Sequence, residues 1–490
     1  MVRDFLERLK HSDKTAVVCG EHELAYRRWN HLSSKLCDES LKNVKGKLVG
    51  IFLPNGIAYV VSYFACLYAN KVIVPFHTGS TMNELLYTIN LCSLSTLVIQ
   101  EESLKEVEVL IQENRIPMTI VVVNHDGTVC RVVEYFQALF HDEQYGDELQ
   151  DVVVMLHTSG TTSKPKRVML TNEGLQNNIK AHSESLNFTE NEVCLIQLPM
   201  VFGYCNTAQF LTHVYLGARI VINPYPFMAA DFFKLVDRWK ITNFTVVPSI
   251  LIALARCKKL SFDISSLRVI CFGGSAIPEN YLREMIEKYP TISYVQTYGL
   301  TEAGPRVTTL PPEYCKEKIG SVGCAIPGVE IKIVDDSGMS LPNGEKGEVI
   351  VKSKGMMKGY FRCYEETQAI IHNGWLHTGD LGYISEDNYL YIVGRKKNII
   401  ITGGQNVSPE EVEEVISSCN DVKDVKVYGI SDDLLGEKVA ADIVVVQKTE
   451  SVIEQVKQEC QNKLSKYKIP SEFQIVDTIA RTYNGKVKRN

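Results

Sequence analysis

Short apolar segments alternate with longer amphipathic segments through the first half of the chain. The apolar segments are rich in Val and Ile and nearly continuous, as in strands that are buried on both faces of a sheet. They predict strands at LVGIFL (48–53), KVIVPF (71–76), STLVIQ (95–100), TIVVV (119–123), DVVVMLHTS (151–159), ARIVI (218–222), NFTVVPS (243–249) and LRVICFGG (267–274). The segments 56–71 and 227–240 have the length and spacing of helices. This alternation predicts an α/β body with mainly parallel sheets.

The pattern changes after about residue 315. Short strands (VEIKIVDD, GEVIVKS and NYLYIVG) are separated by Gly, Pro and Asn turns, which predicts a β-rich section. The charged segment GRKKN (394–398) has little to bury and is a candidate linker. The remaining residues predict a compact α+β unit with helices at 408–418 and 451–467, and Ser408 followed by Pro and two Glu is a typical helix start.

Composition and charge exclude several classes of protein. Hydrophobic residues make up 45% and charged residues 22% of 490, as in ordinary globular proteins. A net charge of −6 gives no support for a nucleic-acid partner. The most apolar early run, 59–69, is too short for a membrane span, and the charged start lacks the apolar stretch of a secretory signal. The 14 cysteines form no CxxC pair, which favours reduced thiols and a cytoplasmic location.

The loop in LHTSGTTSKPKRVML (156–170) has the composition of a polyphosphate site. It follows a predicted strand and combines hydroxyl residues, a Gly and two Lys. Such a loop offers many hydrogen-bond donors and positive charge. It lacks the GxxxxGK[ST] spacing, so a Walker-type NTPase is not supported. Taken alone, it is also compatible with an ordinary Ser/Thr/Gly loop.

TSGTTSKPK resembles the phosphate loop of the adenylate-forming enzymes, which include acyl-CoA synthetases, adenylation domains of peptide synthetases, and luciferases. The family loop usually reads TSGTTGxPKG, so Ser163 and Arg167 stand where glycines are usual. We expect Ser163 to stiffen the loop and Arg167 to add a charge near it. The resemblance implies that the ATP phosphates are bound by Thr158, Ser159, Gly160, Thr161, Thr162 and Lys166.

Five further motifs resemble the same family and follow in its order. They are FGGSAIP (272–278), YGLTEAG (298–304), GWLHTGDLGY (374–383), GRKKNIIITGGQNVSPEEVE (394–413) and RTYNGKVKR (481–489). Each motif alone is ambiguous, since Glu302 could be a solvated loop acid, Asp380 a turn residue and Lys486 a solvated surface charge. Together the six motifs extend the resemblance over essentially the whole chain.

The resemblance implies a role for each of the matching residues. Thr301 would bind phosphate, Glu302 would hold Mg²⁺, and Lys486 would be the catalytic lysine that bridges carboxylate and phosphate oxygens. Asp380 would bind the ribose hydroxyls, and Arg395 the ribose or a phosphate. The other residues implied are Gly273, Gly274, Ser275, Tyr298, Gly299 and Ile392 for ATP, Lys397 for the hinge, and Gly403 and Gly404 for the pantetheine path.

The implied fold is an α/β protein with a large N-terminal body and a small mobile domain. Residues 1–394 would form two α/β subdomains plus a β-rich one that together bind ATP and the acid. Residues 395–397 would form a hinge, and 398–490 an α+β lid domain. The implied cofactors are ATP and Mg²⁺, with CoA or the phosphopantetheine of a carrier protein as the thiol.

The implied chemistry has two steps. A carboxylate attacks the α-phosphate of MgATP and gives an acyl-adenylate and pyrophosphate; a thiol then attacks the adenylate and gives a thioester and AMP. The segment 198–218 occupies the usual substrate region, where Phe202 and Tyr204 are candidates, with core packing as the alternative role. The segment lacks the Asp that pairs with an α-amine, which favours a small acid without an α-ammonium group and leaves β-amino and imino acids open.

Four functions follow from these observations. The leading one is an AMP-forming acyl-CoA synthetase. The runner-up is a ligase that loads a discrete acyl or peptidyl carrier protein with an acid, amino acid or imino acid. A non-catalytic ATP- or acid-binding relative is the third, and a luciferase-like oxygenase is a fourth, minor option.

Overall fold

The computed structural model describes residues 1–136, 142–157, 166–258, 261–275, 277–403, 405–419, 421–432, 435–446, 450–481 and 487–489. Several residues that the motifs single out lie outside the described residues: Thr158, Ser159, Gly160, Thr161, Thr162, Ser163, Gly404 and Lys486.

The strands are numbered in chain order. Those of the first half are β1 (Thr15–Cys19), β2 (His22–Ala25), β3 (Leu48–Phe52), β4 (Val72–Pro75), β5 (Thr96–Ile99), β6 (Met118–Val123), β7 (Val129–Tyr135), β8 (Val152–His157), β9 (Arg167–Thr171), β10 (Val193–Ile196), β11 (Arg219–Ile222) and β12 (Asn243–Val246). Those of the second half are β13 (Val269–Gly273), β14 (Ser293–Leu300), β15 (Gly304–Thr309), β16 (Ser321–Ala325), β17 (Val329–Val334), β18 (Gly347–Ser353), β19 (Gly359–Tyr360), β20 (Ile371–His372), β21 (Trp375–Ile384), β22 (Leu390–Arg395), β23 (Ile400–Thr402), β24 (Gln405–Val407), β25 (Val422–Asp432), β26 (Gly436–Val445) and β27 (Glu472–Ile475).

The helices lie between these strands. The α-helices are α1 (Asp4–Glu7), α2 (Tyr26–Leu36), α3 (Ile57–Tyr68), α4 (Met82–Cys92), α5 (Glu101–Glu113), α6 (Asn172–Ser185), α7 (Gly203–Cys205), α8 (Thr212–Leu216), α9 (Ala229–Trp239), α10 (Pro248–Arg256), α11 (Glu279–Lys288), α12 (Tyr364–Gln368), α13 (Pro409–Ser417) and α14 (Glu450–Lys463). Two π-helices (Cys37–Leu41 and Asn206–Leu211) and several 3₁₀ turns, among them Thr301–Ala303 and Lys396–Asn398, complete the structure.

The described strands form three sheets. The largest runs in the order β17-β18-β21-β22-β16-β15-β14-β13-β12-β10-β11-β1-β2, with β20 beside β21. The second has the order β19-β9-β8-β4-β3-β5-β6-β7. The third belongs to the C-terminal segment and has the order β24-β23-β26-β25, with β27 beside β26. The central strands of the first two sheets pair in parallel, whereas the β-rich end of the first sheet is antiparallel.

The main core lies between the two large sheets. It combines side chains of β3 and β8 in one sheet and β10 and β11 in the other with those of α2 and α3. Helix α3 is buried along nearly its whole length because it is enclosed from both sides. Two further cores cover the outer faces, one under α4 and α5 and the other under α9, α10 and α11. The β-rich section and the C-terminal segment each have a separate core.

The structure confirms the α/β body, the β-rich section and the C-terminal α+β unit. Asn70 adopts φ +53°, a left-handed conformation that Asn tolerates better than most residues. Helix α13 begins at the predicted place. The Ser408 hydroxyl, however, donates to Val393 O at 2.6 Å and so ties this helix start to β22. Along the described ranges, no helix has both the length and the apolar character needed to cross a bilayer.

Candidate functional site

The predicted ribose-binding carboxylate is held by two neighbours. Asp380 on β21 is the direct cross-strand partner of Arg395 on β22. Its Oδ1 pairs with Arg395 Nε at 2.7 Å, and its Oδ2 accepts a hydrogen bond from Tyr298 Oη, also at 2.7 Å. Asp380 is only 3% exposed. An ionised carboxylate has about four acceptor positions, so it can still accept bonds from two vicinal hydroxyls while it is held in this way.

Burial and charge fix the protonation states in this corner. Burial, followed by the charge of Asp380, raises the pKa of Tyr298 well above its ordinary value, so the phenol stays a donor. Burial lowers the pKa of Arg395, but Asp380 and the other nearby acids outweigh this effect and the net pKa is raised. Asp380 therefore lies between a neutral donor and a permanent cation.

The predicted magnesium ligand lies on a short 3₁₀ turn between β14 and β15. Glu302 Oε1 accepts a hydrogen bond from Tyr360 Oη at 2.8 Å, and the Glu302 carbonyl accepts one from Met357 N at 2.8 Å. The ammonium of Lys166 lies 4.8 Å from the centroid of the Tyr360 ring. Tyr360 thus connects the lysine of the phosphate loop with the carboxylate of the turn, and Thr301 begins the same turn.

This corner fits Mg²⁺ chemically. Among the described residues, no three His, Cys, Asp or Glu side chains cluster as a metal site. A site built on Glu302 would leave the other coordination positions to phosphate oxygens and water. Mg²⁺ is commonly bound in this way, through one or two carboxylates plus substrate phosphates.

The motif FGGSAIP (272–278), which the resemblance assigns to ATP binding, covers the end of β13 and the residues after it. Gly273 packs so closely on β14 that a Cβ there would lie 2.4 Å from the carbonyl oxygen of Thr297. Gly299 is equally close to the next strand, because a Cβ would lie 2.4 Å from the carbonyl oxygen of Pro305. Gly274 and Ser275 are exposed. The close packing of β13, β14 and β15 therefore requires glycine at positions 273 and 299.

The substrate candidates Phe202 and Tyr204 lie at the start of α7 and face different surroundings. The Phe202 ring is partly exposed and stacks on His77, with ring centroids 5.7 Å apart. The Tyr204 hydroxyl lies 3.1 Å from Thr297 Oγ1, and its ring covers the guanidinium of Arg306 at 4.9 Å. Gly203 between them contacts Thr301, since a Cβ there would be 3.3 Å from Thr301 Oγ1. The segment that carries the acid candidates therefore contacts Thr301, the residue predicted to bind phosphate.

The hinge candidate Lys397 lies close to Arg395, Asp380 and Glu302. It belongs to the 3₁₀ turn that links β22 to β23. Desolvation and the charge of Arg395 lower its pKa, and the acids Asp380 and Glu302 oppose this effect. Ile392 packs on the core of the β-rich section, in the strand that ends at Arg395. Gly403 adopts φ +56°, and its amide donates to Leu435 O at 2.8 Å.

Arg167 corrects the expectation of a charge near the phosphate loop. Its side chain turns into the core, where Nη1 donates to Pro75 O at 3.0 Å and Nη2 to Thr88 Oγ1 at 3.1 Å. The guanidinium also lies over the Phe76 ring. Burial lowers its pKa to about 10. The residue that replaces a family glycine therefore anchors the start of β9 in the core instead of adding a charge near the loop.

Tyr360 and Arg306 are site neighbours that the motifs do not include. Both contact predicted site residues, but neither lies in a segment whose composition stands out. A single sequence does not reveal hydrogen bonds between distant residues. Tyr360 and Glu302, for example, are 58 residues apart.

Comparison with known protein families gives two matches. The model described as AMP-binding enzyme matches residues 7–361, and the one described as AMP-binding enzyme C-terminal domain matches residues 411–486. The 2-succinylbenzoate–CoA ligase of Bacillus cereus strain AH820 is 30% identical over 482 residues, which are 97% of this chain and 94% of that protein. The protein of the same name from Bacillus mycoides strain KBAB4 is 29% identical over 484 residues, 97% of this chain and 95% of its own length.

Solved structures agree with these matches. The o-succinylbenzoate CoA synthetase MenE of Bacillus subtilis, in complex with its acyl-adenylate intermediate OSB-AMP, superposes with a TM-score of 0.86 at 27% identity and covers 100% of this chain and 97% of its own. The same protein with ATP and magnesium gives a TM-score of 0.85, with 99% and 98% covered. ATP-bound MatB of Rhodopseudomonas palustris gives 0.87 at 25% identity, with 100% and 97% covered.

Proposed function

Because this chain belongs to the AMP-binding enzyme family and is an AMP-forming acid–thiol ligase, we propose that it activates 2-succinylbenzoate and transfers the acyl group to CoA. The observation that carries the proposal is the similarity to ligases of that name, at 30% identity over 97% of this chain. ATP and Mg²⁺ are the cofactors of the first step. The absence of an acidic residue from the segment 198–218 also supports an acid without an α-ammonium group.

In the first step, the acid must attack the α-phosphate of ATP in line. Asp380 would orient the ribose, with its own position fixed by Tyr298 and Arg395. Lys166 and the hydroxyls of Thr158, Ser159, Thr161 and Thr162 would contact the phosphates. Mg²⁺ held by Glu302 would supply positive charge at the phosphates as pyrophosphate departs. Lys486 would bridge the incoming carboxylate and the α-phosphate, where negative charge develops.

In the second step, the CoA thiol must reach the adenylate after pyrophosphate has left. We assign residues 1–394 to the body, 395–397 to the hinge and 398–490 to the lid. A mobile lid lets one site carry out two reactions in turn. The contact between Ser408 and Val393 O lies across this proposed hinge, at the start of the first lid helix. Gly403 and Gly404 would line the path of the pantetheine arm.

A cytoplasmic location completes the proposal. All 14 cysteines are free thiols, including exposed Cys130. Free thiols persist in a reducing compartment.

ATP–pyrophosphate exchange with a panel of acids tests which acid the enzyme activates. The panel would contain 2-succinylbenzoate, benzoate, a fatty acid, a hydroxy acid, a β-amino acid and a cyclic imino acid, and CoA would be added after exchange is found. We expect exchange with 2-succinylbenzoate above all others, followed by CoA-dependent AMP release. Preferred exchange with another acid would overturn the proposed substrate. Exchange with 2-succinylbenzoate but no AMP release on addition of CoA would overturn the proposed acceptor.

A further inference from the structure

The predicted catalytic lysine, Lys486, directly precedes a bridge between two backbone segments. Arg481 and Val487 pair as antiparallel neighbours, and Lys488 N donates to Ala480 O at 2.9 Å. Lys486 itself lies outside the described residues, but consecutive Cα atoms in a chain are only about 3.8 Å apart. Whatever fixes the backbone at Val487 therefore limits where Lys486 can lie.

Arg489 anchors one side of this bridge to the C-terminal unit. Its Nη1 donates to Val427 O in β25 at 2.7 Å, and its Nη2 donates to Glu413 Oε2 in helix α13 at 2.7 Å. The side chains of Arg489 and Glu413 are only 14% and 15% exposed. Because a guanidinium holds its donors in a rigid fork, these contacts fix the orientation of the arginine as well as its position.

Arg481 anchors the other side of the bridge. Its Nη2 donates to Asp424 Oδ1 at 2.5 Å, and its Nε donates to Asp424 Oδ2 at 3.2 Å. Asp424 lies on β25, the strand that also supplies Val427 O to Arg489. The segment that carries Lys486 is therefore attached at both of its ends to the same strand.

Arg489 also connects this segment to the proposed hinge. Its Nη2 lies 3.4 Å from Glu410 Oε1, and the same oxygen accepts a hydrogen bond from Asn398 Nδ2 at 2.7 Å. Asn398 directly follows the proposed hinge residues 395–397. A chain of side-chain contacts thus runs from the hinge to the neighbourhood of Lys486, and it would keep the lysine at a fixed distance from the hinge when the C-terminal unit turns.

A catalytic lysine needs such support. Lys carries its charge at the end of a flexible four-carbon stem, and a displacement of about 1 Å can cost about 100-fold in rate. Within the described residues, the chain beyond β27 adds no further strand to the sheet, so sheet pairing alone does not hold this segment. We propose that Arg481 and Arg489 are positioning residues that hold Lys486 in place for adenylate formation. This inference rests on the proposed function, because it presupposes the role assigned to Lys486.

The test measures the two half-reactions separately. Adenylate formation is followed as ATP–pyrophosphate exchange with 2-succinylbenzoate, and thioester formation as AMP release when CoA is added to preformed acyl-adenylate. The variants are Arg489→Gln, Arg489→Lys and Arg481→Gln. Lys468→Gln is the matched control, because Lys468 pairs with Glu411 of the same helix α13 at 2.7 Å, is 15% exposed and lies outside the segment that carries Lys486.

We expect Arg489→Gln and Arg481→Gln to slow exchange by about 10- to 100-fold, because Lys486 loses its fixed position. The loss should lie in kcat, with KM for ATP and for the acid unchanged. Thioester formation should keep the wild-type rate, since the role assigned to Lys486 belongs to the first step. Arg489→Lys should recover part of the loss, because an ammonium can pair with Glu413 but lacks the fork that also reaches Val427 O. Lys468→Gln should leave both half-reactions unchanged.

Two results in a folded arginine variant would overturn the inference. Equal loss in both half-reactions would mean a structural role, and a wild-type exchange rate in Arg489→Gln or Arg481→Gln would mean that the arginine does not position the lysine. Melting temperature establishes folding. Breaking a buried ion pair is strongly destabilising, whereas Arg481 is 37% exposed, so Arg481→Gln decides the question if Arg489→Gln does not fold.

Lys486→Ala separates failure of the inference from failure of the proposed function. Selective loss of exchange in Lys486→Ala but not in the arginine variants refutes the inference alone. Equal loss of both half-reactions in Lys486→Ala refutes the role proposed for the lysine, and the inference with it. If wild type activates another acid instead of 2-succinylbenzoate, the proposed substrate fails, and the same comparison is made with that acid.

Discussion

Replacing Tyr360 by phenylalanine removes one hydroxyl that positions the proposed magnesium ligand. Tyr360 Oη donates to Glu302 Oε1 at 2.8 Å, and the residue is 8% exposed, so little water can replace the lost bond. Burial and the charge of Glu302 raise the pKa of Tyr360, so the phenol remains a donor at any working pH. Phenylalanine keeps the ring beneath Lys166 and changes only this contact.

The expected loss of activity in Tyr360→Phe follows from the type of hydrogen bond that is removed. A hydrogen bond to a charged group contributes about 1.5–3 kcal/mol. Since about 1.4 kcal/mol corresponds to a factor of ten, full use of this bond in orienting Glu302 predicts a loss of about 10- to 150-fold. We expect the loss in kcat/KM for ATP and in the apparent affinity for Mg²⁺, with KM for the acid unchanged.

The assay is pyrophosphate release over a range of Mg²⁺ concentrations. Tyr294→Phe is the matched control, because it removes a buried hydroxyl that donates to Met285 O in helix α11 rather than to Glu302. The control should lower stability by about 1 kcal/mol and leave the Mg²⁺ dependence unchanged. Wild-type Mg²⁺ dependence in folded Tyr360→Phe would refute the positioning role of Tyr360.

Three further predictions concern the ribose-binding candidate Asp380, the predicted catalytic lysine Lys486 and the buried histidine His213. Asp380→Ala should raise KM for ATP by about tenfold or more, since charged hydrogen bonds are lost, and unchanged ATP affinity would contradict the ribose assignment. Lys486→Ala should abolish adenylate formation while preformed acyl-adenylate still reacts with CoA; equal loss in both half-reactions would exclude the assigned role. Burial lowers the pKa of His213 from 6.5 to about 4, so the unfolded chain binds the extra proton as pH falls below 6.5. Stability contributed by this neutral histidine is complete above pH 6.5 and should decline by up to about 1.4 kcal/mol per pH unit toward pH 4. Urea unfolding at pH 7.5 and pH 5 should show this decline, and His213→Gln should flatten it; an equal slope in that variant would contradict the assignment.

Arg167 illustrates how a motif can indicate a site and still mislead about one side chain. The motif places the residue directly after Lys166, in the family's phosphate loop. Arg167 begins β9 and enters the core beside Phe76, whereas Lys166, which precedes the strand, reaches the Tyr360 ring.

The sequence by itself determined the α/β class, the β-rich section and the C-terminal unit, and through its motifs it predicted Asp380, Glu302 and Arg395 as site residues. Hydrophobic periodicity and loop chemistry are local, so they can be read along the chain. The tertiary structure decided which distant side chains meet, namely Tyr360 with Glu302 and Arg306 with Tyr204. These contacts depend on sheet register and helix packing across long separations, which no short segment encodes.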